Sequence, residues 1–256
     1  MKNKFTILGC GSSLGSPWIT GNWGSCDKKN FKNIRTRCSA HIKYKNLSIL
    51  IDTSPDIKQQ FKKNNISNVD AVIYTHDHAD QTAGIFELRP FVWKYKKKIS
   101  IYGSKRTLNR LNKSYTFCFK PRYGYVPILK AKKIKREFKI VKKNISIKIL
   151  AFEVQHGLIK ATAYVFNKIA YISDCNHIPN KYFKYLKDLN YLIIDCLKKK
   201  KHPSHFNYKD AISISKKIKP KKTILTNLHV DLDYAKLKKK LPKNIIPAYD
   251  GLNFNF

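Results

Sequence analysis

The sequence contains no long hydrophobic run. Apolar stretches such as Ser48–Ile51 and Tyr191–Ile194 are short, and each is followed directly by an aspartate. A helix that spans a bilayer needs about 20 consecutive apolar residues. The basic start, Met1–Lys4, leads into an apolar stretch that is broken at Gly9 and Gly11, which is too short for a secretory signal. The sequence therefore predicts a cytoplasmic protein with no membrane partner.

Closely spaced cysteines are also missing. No Cys-x-x-Cys pair occurs, which argues against a cysteine zinc knuckle, and a disulfide framework is not expected in a cytosolic chain of this size. Lone cysteines in such a chain usually behave as small core residues. The six are Cys10, Cys26, Cys38, Cys118, Cys175 and Cys196.

Acidic residues are scarce: 16 Asp and Glu stand against 52 Lys and Arg, which gives a formal charge of +36. Such a field attracts phosphate-bearing partners. The lysines are nevertheless spread over the whole chain, for example at Lys96–Lys98, Lys198–Lys201 and Lys236–Lys240. This spread favours a solvated basic surface over a dedicated nucleic-acid groove. A small anionic substrate is the favoured partner, and nucleic acid is the less favoured one.

Short β-type runs alternate with helical patterns along all 256 residues, without an internal repeat or a Pro/Gly-rich linker. We therefore predict one domain, 1–256, of the α/β (α+β) class, with sheets sandwiched between helices. Strands are expected near 4–9, 47–52, 69–74, 98–102, 137–141, 145–155, 161–166, 168–173, 190–195 and 222–226, and helices near 55–63, 104–112, 179–187, 207–217 and 232–240. Residues 113–135, which include Phe117, Tyr123 and Tyr125, are predicted to form a long aromatic loop. A substrate lid and a homodimer contact both stay open for it.

Two histidines and an aspartate occupy alternate positions directly after the predicted strand 69–74. His76, His78 and Asp80 thus lie in a loop that can aim them at one point. Metal sites need neutral imidazoles and ionised carboxylates that converge in this way. A single histidine here would more often be structural, but this combination predicts a metal site.

Three further candidates follow predicted strands. His156 comes after 145–155, Asp174 after 168–173, and His229 shortly after 222–226. An isolated histidine or aspartate at a strand end is usually structural. Their joint placement supports a shared site with His76 and His78.

The chain resembles the metallo-β-lactamase superfamily in the order and context of its predicted metal-binding segments, which contain His76–Asp80, His156, Asp174 and His229. The similarity is greatest to the phosphodiesterase branch typified by the cyclic-phosphate phosphodiesterase of the carbon–phosphorus lyase pathway. Four stretches carry it: Gly9–Ser13, Arg37–Ser39, Leu50–Asp52 and Tyr249–Gly251. The resemblance implies a metallo-β-lactamase αββα sandwich, in which two mixed β-sheets are flanked by helices and the metals lie at one edge.

The resemblance also implies a ligand set for one or two Zn²⁺ or Mn²⁺ ions. His76, His78 and His156 would hold the first ion, Asp80 and His229 would help to hold the second, and Asp174 would bridge them. The family motif has a histidine where this chain has Gln81. Because an amide oxygen is a poor zinc ligand, we expect this change to weaken the second site.

The implied activity is hydrolysis of a small phosphodiester, cyclic or linear, with Asp80, Asp174 and His205 as catalytic residues. In related enzymes a histidine at the place of His205 faces the scissile phosphate, although a helix-cap role fits equally well. The alternatives are a tRNase Z-like nuclease, a thioesterase of the same fold, and a non-catalytic nucleic-acid-binding protein. Only 18 positions (174 − 156) separate His156 from Asp174, which leaves no room for the tRNA-gripping arm of such nucleases.

Overall fold

The apolar runs assemble into two mixed β-sheets of seven strands each within the residues that the computed structural model describes, 3–121 and 124–256. In chain order the strands are β1 (Lys4–Gly9), β2 (Ser39–Tyr44), β3 (Leu47–Ile51), β4 (Ala71–Ile73), β5 (Ile99–Gly103), β6 (Leu129–Lys133), β7 (Glu137–Lys142), β8 (Ile145–His156), β9 (Ile159–Phe166), β10 (Ile169–Ile172), β11 (Tyr191–Asp195), β12 (Lys222–Thr226), β13 (Ile245–Pro247) and β14 (Asn253–Asn255).

Helices connect these strands and cover the outer faces of the sheets. The α-helices are α1 (Ile57–Lys63), α2 (Ala79–Thr82), α3 (Arg89–Tyr95), α4 (Lys105–Ser114), α5 (Thr116–Phe119), α6 (Tyr208–Ile218) and α7 (Tyr234–Lys240), and 3-10 helices cover Phe31–Asn33, Ala83–Leu88 and Asn180–Leu186. In the described ranges no helix has the length and apolar character needed to cross a membrane.

The two sheets have matching topologies. The first has the order β14-β1-β2-β3-β4-β5-β6, and its strands β3 to β6 run parallel. The second has the order β13-β12-β11-β10-β9-β8-β7, and its strands β10 to β13 run parallel. Each sheet therefore combines a parallel half with an antiparallel half, which confirms the predicted pair of mixed sheets.

The alternation of side chains along β3 explains how the layers are held together. Ile49 and Ile51 lie in the core between the sheets, whereas Leu50 points to the other face. There it joins a second apolar cluster that includes Phe61 of α1 and Leu108 of α4. Successive residues of a strand face opposite sides, so one strand serves both layers. Complete burial of each such side chain contributes about 1.5–3 kcal/mol.

The segment 113–135 differs from the predicted loop. It contains α5 and the strand β6, which pairs in parallel with β5 through Ile99 and Leu129. The sequence of β6, Leu-Lys-Ala-Lys-Lys, has only one large apolar residue, so its strand conformation depends on its neighbour β5 rather than on a local pattern. Phe117 packs against Phe86, with ring centroids 5.6 Å apart. Tyr123 lies outside the described residues.

Candidate metal centre

Three of the predicted histidines meet at one edge of the two sheets. His76 and His78 follow β4 in the first sheet, and His156 is the last residue of β8 in the second. The ring centroids are 4.5 Å apart for His76 and His78, and 5.0 Å apart for each of them and His156. The ring nitrogens lie within 4.8 Å of one another, a spacing that suits a shared metal ion.

A short hydrogen-bond chain orients His76. Its Nδ1 lies 3.0 Å from the hydroxyl of Thr75, and that hydroxyl donates to Oδ2 of the buried Asp52 at 2.8 Å. Because the Thr75 proton is used on Asp52, the His76 Nδ1–H must be the donor to Thr75. The Nε2 atom of His76 is then unprotonated, and it is buried without a hydrogen-bond partner among the described residues. A metal ion would satisfy this atom.

His156 is oriented in the same manner by a main-chain group. Its Nδ1 lies 2.7 Å from the carbonyl oxygen of Ser204, which can only accept, so the free electron pair is on Nε2. That Nε2 lies 3.3 Å from Nδ1 of His78. Gly157 allows the close approach, because a Cβ atom there would lie 2.8 Å from the Ser204 Cβ and the backbone φ is +59°.

Burial keeps these rings neutral. It lowers the pKa of His76 to about 3 and also lowers the pKa of His156. A metal binds the neutral imidazole, so no proton has to be removed from these rings near pH 7.

Asp174 follows β10 and lies beside the histidines. One oxygen, Oδ1, accepts a hydrogen bond from Nδ2 of Asn227 at 3.2 Å, while Oδ2 is buried with no hydrogen-bond partner in the part of the chain that the structure describes. Burial alone would raise the pKa of Asp174, but the imidazoles of His76 and His205 lower it below its ordinary value. The side chain is therefore an ionised carboxylate with one free oxygen.

Asp80 and Gln81 lie in the first turn of α2. Burial, followed by the charge of Asp174, raises the pKa of Asp80 to about 6. Oδ2 of Asp80 accepts a hydrogen bond from Nε2 of Gln81 at 3.2 Å. Gln81 is fully buried, and within residues 3–121 and 124–256 its Oε1 has no hydrogen-bond partner.

His205 faces the same centre from the second sheet. Its Nδ1 lies 2.8 Å from Oδ2 of Asp195, the last residue of β11, and its ring centroid lies 4.6 Å from that of His156. Burial alone would lower the pKa of His205, but the Asp195 carboxylate raises it to about 9. His205 is therefore a cationic donor near pH 7. The predicted helix cap is instead Asn207, which caps α6 with its side chain.

His229 lines the same cavity as Asp80 and Asp174, although it is outside the two tightest groups of potential ligands among the described residues. Its ring packs edge-on against Trp18 at 5.6 Å, and its Nδ1 lies 3.3 Å from Oδ1 of Asp231. Within the described residues, the groups that could hold a metal are His76, His78 and His156, and then His156, Asp174 and His205. Neither group contains Asp80 or His229.

These side chains open into a cavity of about 690 Å³. Its walls include Lys198 and His202 on the basic side, and Leu14 and Leu158 on the apolar side. Leu158 is fully exposed and Leu14 about half exposed, so the cavity mouth offers apolar surface beside the charged centre. The arrangement can accept an anionic group next to a metal ion, with room for an attached organic group.

Asp195 and Asn227 also belong to the site, although no sequence motif singled them out. Both lie at the C-terminal ends of parallel strands, β11 and β12, in the same setting as Asp174. Parallel strands bring their C-terminal ends to one edge of a sheet. The polar residues at the ends of all parallel strands, Asp195 and Asn227 among them, are therefore candidates for the site.

Residues 48–227 match the family described as the beta-lactamase superfamily domain, and the chain belongs to this family. It is thus a member of the metallo-β-lactamase superfamily of hydrolases, whose fold implies a divalent metal. Among curated proteins, an octanoyltransferase from Porphyromonas gingivalis is 29% identical over 251 residues. That match covers 96% of this chain and 50% of the relative, so the chain spans about half the length of the curated relative.

Solved structures agree with this assignment. A new diphosphatase from the PhnP family is 29% identical, with a TM-score of 0.91 over 100% of this chain and 98% of that chain. Zinc-bound PqqB from Methylobacterium extorquens is 15% identical, with a TM-score of 0.79 over 99% and 100% of the two chains. The short form of human tRNase Z is 15% identical, with a TM-score of 0.70 over 98% of each chain. The last two show the shared fold, and the first, at 29% identity, supports the resemblance predicted from the sequence.

Proposed function

We propose that this chain is a metal-dependent phosphodiesterase that hydrolyses a small anionic phosphodiester with bound Zn²⁺ or Mn²⁺. One observation carries the proposal: the imidazoles of His76, His78 and His156 form one group of potential metal ligands, and His156 forms a second group with Asp174 and His205 at the same cavity. The imidazoles fit a divalent ion, and the cationic His205 beside them fits the negative charge of a phosphoryl group.

His76, His78 and His156 would hold the ion, with Asp174 beside them. When bound, the ion supplies Lewis acidity towards a phosphoryl oxygen and lowers the pKa of water to near neutrality. Asp174 and Asp80 line the same cavity, and their carboxylates orient the attacking water by accepting its protons in hydrogen bonds. Thr75 keeps the proton of the His76 ring on Nδ1, and Ser204 does the same for His156, so that Nε2 of each ring is free to face the ion.

His205 supplies the acid. Its Nδ1–H is held by Asp195, so the nitrogen that remains for the substrate is Nε2, which carries a proton in the cationic ring. From there it stabilises charge on the phosphoryl oxygens and protonates the leaving alkoxide. Asp195 fixes the ring orientation in the way that a buried carboxylate supports a catalytic histidine.

A phosphoric anhydride is the second candidate substrate. The relative with 29% identity is a diphosphatase. In this chain the cavity continues past His205 to His202 and Lys198, and the ring centroids of the two histidines are 5.1 Å apart. These two side chains could receive a second phosphate beside the scissile one. A nuclease is less favoured, because the similarity to tRNase Z, at 15% identity, is a similarity of fold.

The test is hydrolysis of an aryl phosphodiester and of an aryl-substituted diphosphate by metal-stripped protein, refilled separately with zinc or manganese. We expect turnover only after refilling. Asp174→Asn and His205→Gln should each lower kcat at least about 100-fold while the circular dichroism spectrum stays unchanged. His177→Gln is the matched control, since His177 is an exposed histidine that does not line the cavity. Metal-bound protein that hydrolyses neither compound would refute the proposal.

A further inference from the structure

A second cavity lies at the opposite end of the sandwich from the metal centre. It is lined by residues that begin parallel strands, such as Ala71 of β4 and Ile99 of β5, whereas His76 and His78 follow the far end of β4. Its volume is about 720 Å³, and within the described ranges no residue lines both cavities. A cavity of this size can hold a whole small molecule. We call it the lysine pocket, because five lysines line it: Lys97, Lys98, Lys130, Lys132 and Lys142.

Two of these lysines occupy inward-facing positions on the edge strand β6. Ser100 of β5 pairs with Lys130, and two residues further on Tyr102 pairs in the same way with Lys132. Paired residues of neighbouring strands point to the same face of a sheet. Tyr102 belongs to the core between the sheets, so both lysines face that layer. The opposite face of β6 is marked by Leu129, which packs in the outer apolar cluster.

The second sheet contributes a lysine in the same manner. Phe138 and Ile140 of β7 pack into the core, and the alternation of the strand places Lys142 on the same face. The ammonium group of Lys142 lies 2.8 Å from Oδ1 of Asp70. Among the described residues that line the lysine pocket, Asp70 is the only acidic one. The edge strands of both sheets thus present lysine where an apolar side chain would close the sandwich.

The positive charge of the lysine pocket is largely uncompensated. Four of its ammonium groups form no ion pair in the described part of the chain, those of Lys97, Lys98, Lys130 and Lys132. Lys132 instead donates to the hydroxyl of Tyr102 at 3.2 Å. That hydroxyl keeps its own proton, for which residues 3–121 and 124–256 provide no hydrogen-bond acceptor. The lysine pocket therefore offers a ligand several cations and a hydroxyl donor, and its one carboxylate is already paired.

Protection of edge strands explains only some of these lysines. Lysine on an edge strand hinders pairing with another chain, which accounts for Lys130 and Lys132 on β6. Lys97 and Lys98 precede β5, which is not an edge strand because β4 and β6 lie on its two sides. Their presence in the same pocket favours a common anionic ligand.

We propose that the lysine pocket binds a compact oligophosphate, a small molecule with adjacent phosphate groups, at a site separate from the metal centre. Lysine ammonium groups act as point charges towards phosphate oxygens. Four cations without carboxylate partners match several adjacent phosphates better than a single one. Tyr95 also lines the lysine pocket, and its ring is about half exposed, so a base attached to the phosphates can stack there. Free triphosphate and a nucleoside triphosphate share the required chemistry. The proposal does not rest on the phosphodiesterase function.

Isothermal titration calorimetry at about 150 mM salt, where long-range charge is screened, tests the proposal. Two nonhydrolysable probes are compared, a methylene-bridged triphosphate and the ATP analogue with the same bridges. Lys130→Gln with Lys132→Gln should weaken the binding of both probes at least about 10-fold, because charged hydrogen bonds are lost. The matched control is Lys238→Gln with Lys240→Gln, which removes the same charge from exposed positions of α7 and should leave both affinities unchanged.

Lys198→Gln, in the cavity of the metal centre, should also leave the affinities unchanged. Loss of binding in Lys198→Gln with retention in the β6 variant would assign the probes to the metal centre and overturn the proposal. Equal weakening by the α7 variant would overturn it too, because the overall charge of the chain would then bind the probes. Absence of binding in the unaltered protein would leave the lysines with edge protection alone.

If the β6 variant does not fold by circular dichroism, Lys97→Gln with Lys98→Gln makes the same test from the turn before β5. Tighter binding of the ATP analogue than of the triphosphate would support the proposal with a nucleotide as the ligand. Equal affinities would support it with the oligophosphate group alone. None of these results depends on hydrolysis, so the lysine pocket and the phosphodiesterase function can fail separately.

Discussion

The Nδ1 atom of His205 lies 2.8 Å from Oδ2 of Asp195, a carboxylate that has no exposed surface. The same oxygen accepts the backbone N–H of Cys175 at 2.9 Å, so the carboxylate is held in place from two sides. Burial raises the pKa of Asp195 to about 7, even though His205 acts in the opposite direction. The pair thus places a proton donor at the cavity and a buried carboxylate behind it.

This relationship predicts the titration of His205 in the metal-free protein. Burial by itself lowers the pKa of the ring, and the Asp195 charge is what raises it to about 9. Asp195→Asn keeps an oxygen that can accept from Nδ1 but removes the charge. We expect the His205 pKa to fall to its ordinary value of about 6.5 or below. The measurement is an NMR titration of the imidazole resonances.

The exposed ring of His177 serves as the internal control, and its titration should be the same in both proteins. An unchanged His205 midpoint near 9 in Asp195→Asn would mean that another group provides the positive shift. In the unaltered protein, the ring is cationic below its pKa and loses its proton as the pH rises through about 9. The ability to donate a proton should therefore disappear in the alkaline range.

The Thr75 hydroxyl gives a second prediction. It accepts from Nδ1 of His76 and donates to Asp52, so it sets which ring nitrogen faces the ion. Thr75→Val preserves the shape of the side chain and removes both hydrogen bonds. Loss of such a supporting partner typically lowers metal affinity 10–100-fold, and we expect a decrease in that range for zinc. Competition with a chromophoric chelator measures the Kd.

Thr53→Val is the matched control for this change. Thr53 is also a fully buried threonine, but its hydroxyl bonds Tyr74 and the Thr82 carbonyl rather than a histidine. It should cost stability without changing zinc affinity. Equal zinc affinity in Thr75→Val and the unaltered protein would show that Asp52 and Thr75 support the fold alone.

The sequence predicted the strands that carry the centre because each has a clear apolar pattern that ends at a polar residue. Val69–Tyr74 leads to His76, and the pattern before Asp174 is equally distinct. The strands β2, β6, β13 and β14 were not predicted, and β6 is a strand because it lies against β5. Helix α2 and the 3-10 turn after it were also missed, since their four- to six-residue lengths are too short for a helical period.

The partners of the site residues could not be predicted from spacing. His156 is held by Ser204, 48 residues later, and His205 by Asp195 across a loop. Asn227 and His229 are only two residues apart after β12, and the sequence favours the histidine as a ligand. The left-handed backbone at Asn227, φ +62°, turns the amide towards Asp174. The contact between Asn227 and Asp174 depends on this backbone conformation, which the residue pattern of the stretch does not reveal.

The formal charge of +36 gives a final prediction, which separates a small substrate from nucleic acid. A diester bound in the cavity meets Lys198, His202 and His205, and its other contacts are with the metal centre. Its KM should therefore rise less than about 10-fold between 50 and 200 mM salt. Binding of a duplex through 6–10 phosphates would instead weaken about 10³–10⁵-fold over the same range, because condensed counterions are released.

Kinetics on the aryl diester and fluorescence anisotropy on a labelled duplex provide the two salt series. Duplex binding that collapses with salt while diester hydrolysis persists would identify the basic surface as a nonspecific feature of a lysine-rich chain. Cleavage of the duplex at 200 mM salt, with a steeper salt dependence than that of the diester, would instead favour a nuclease. The distinction follows from where the positive charge acts: Lys198 lines the cavity, whereas runs such as Lys238–Lys240 at the end of α7 lie outside it.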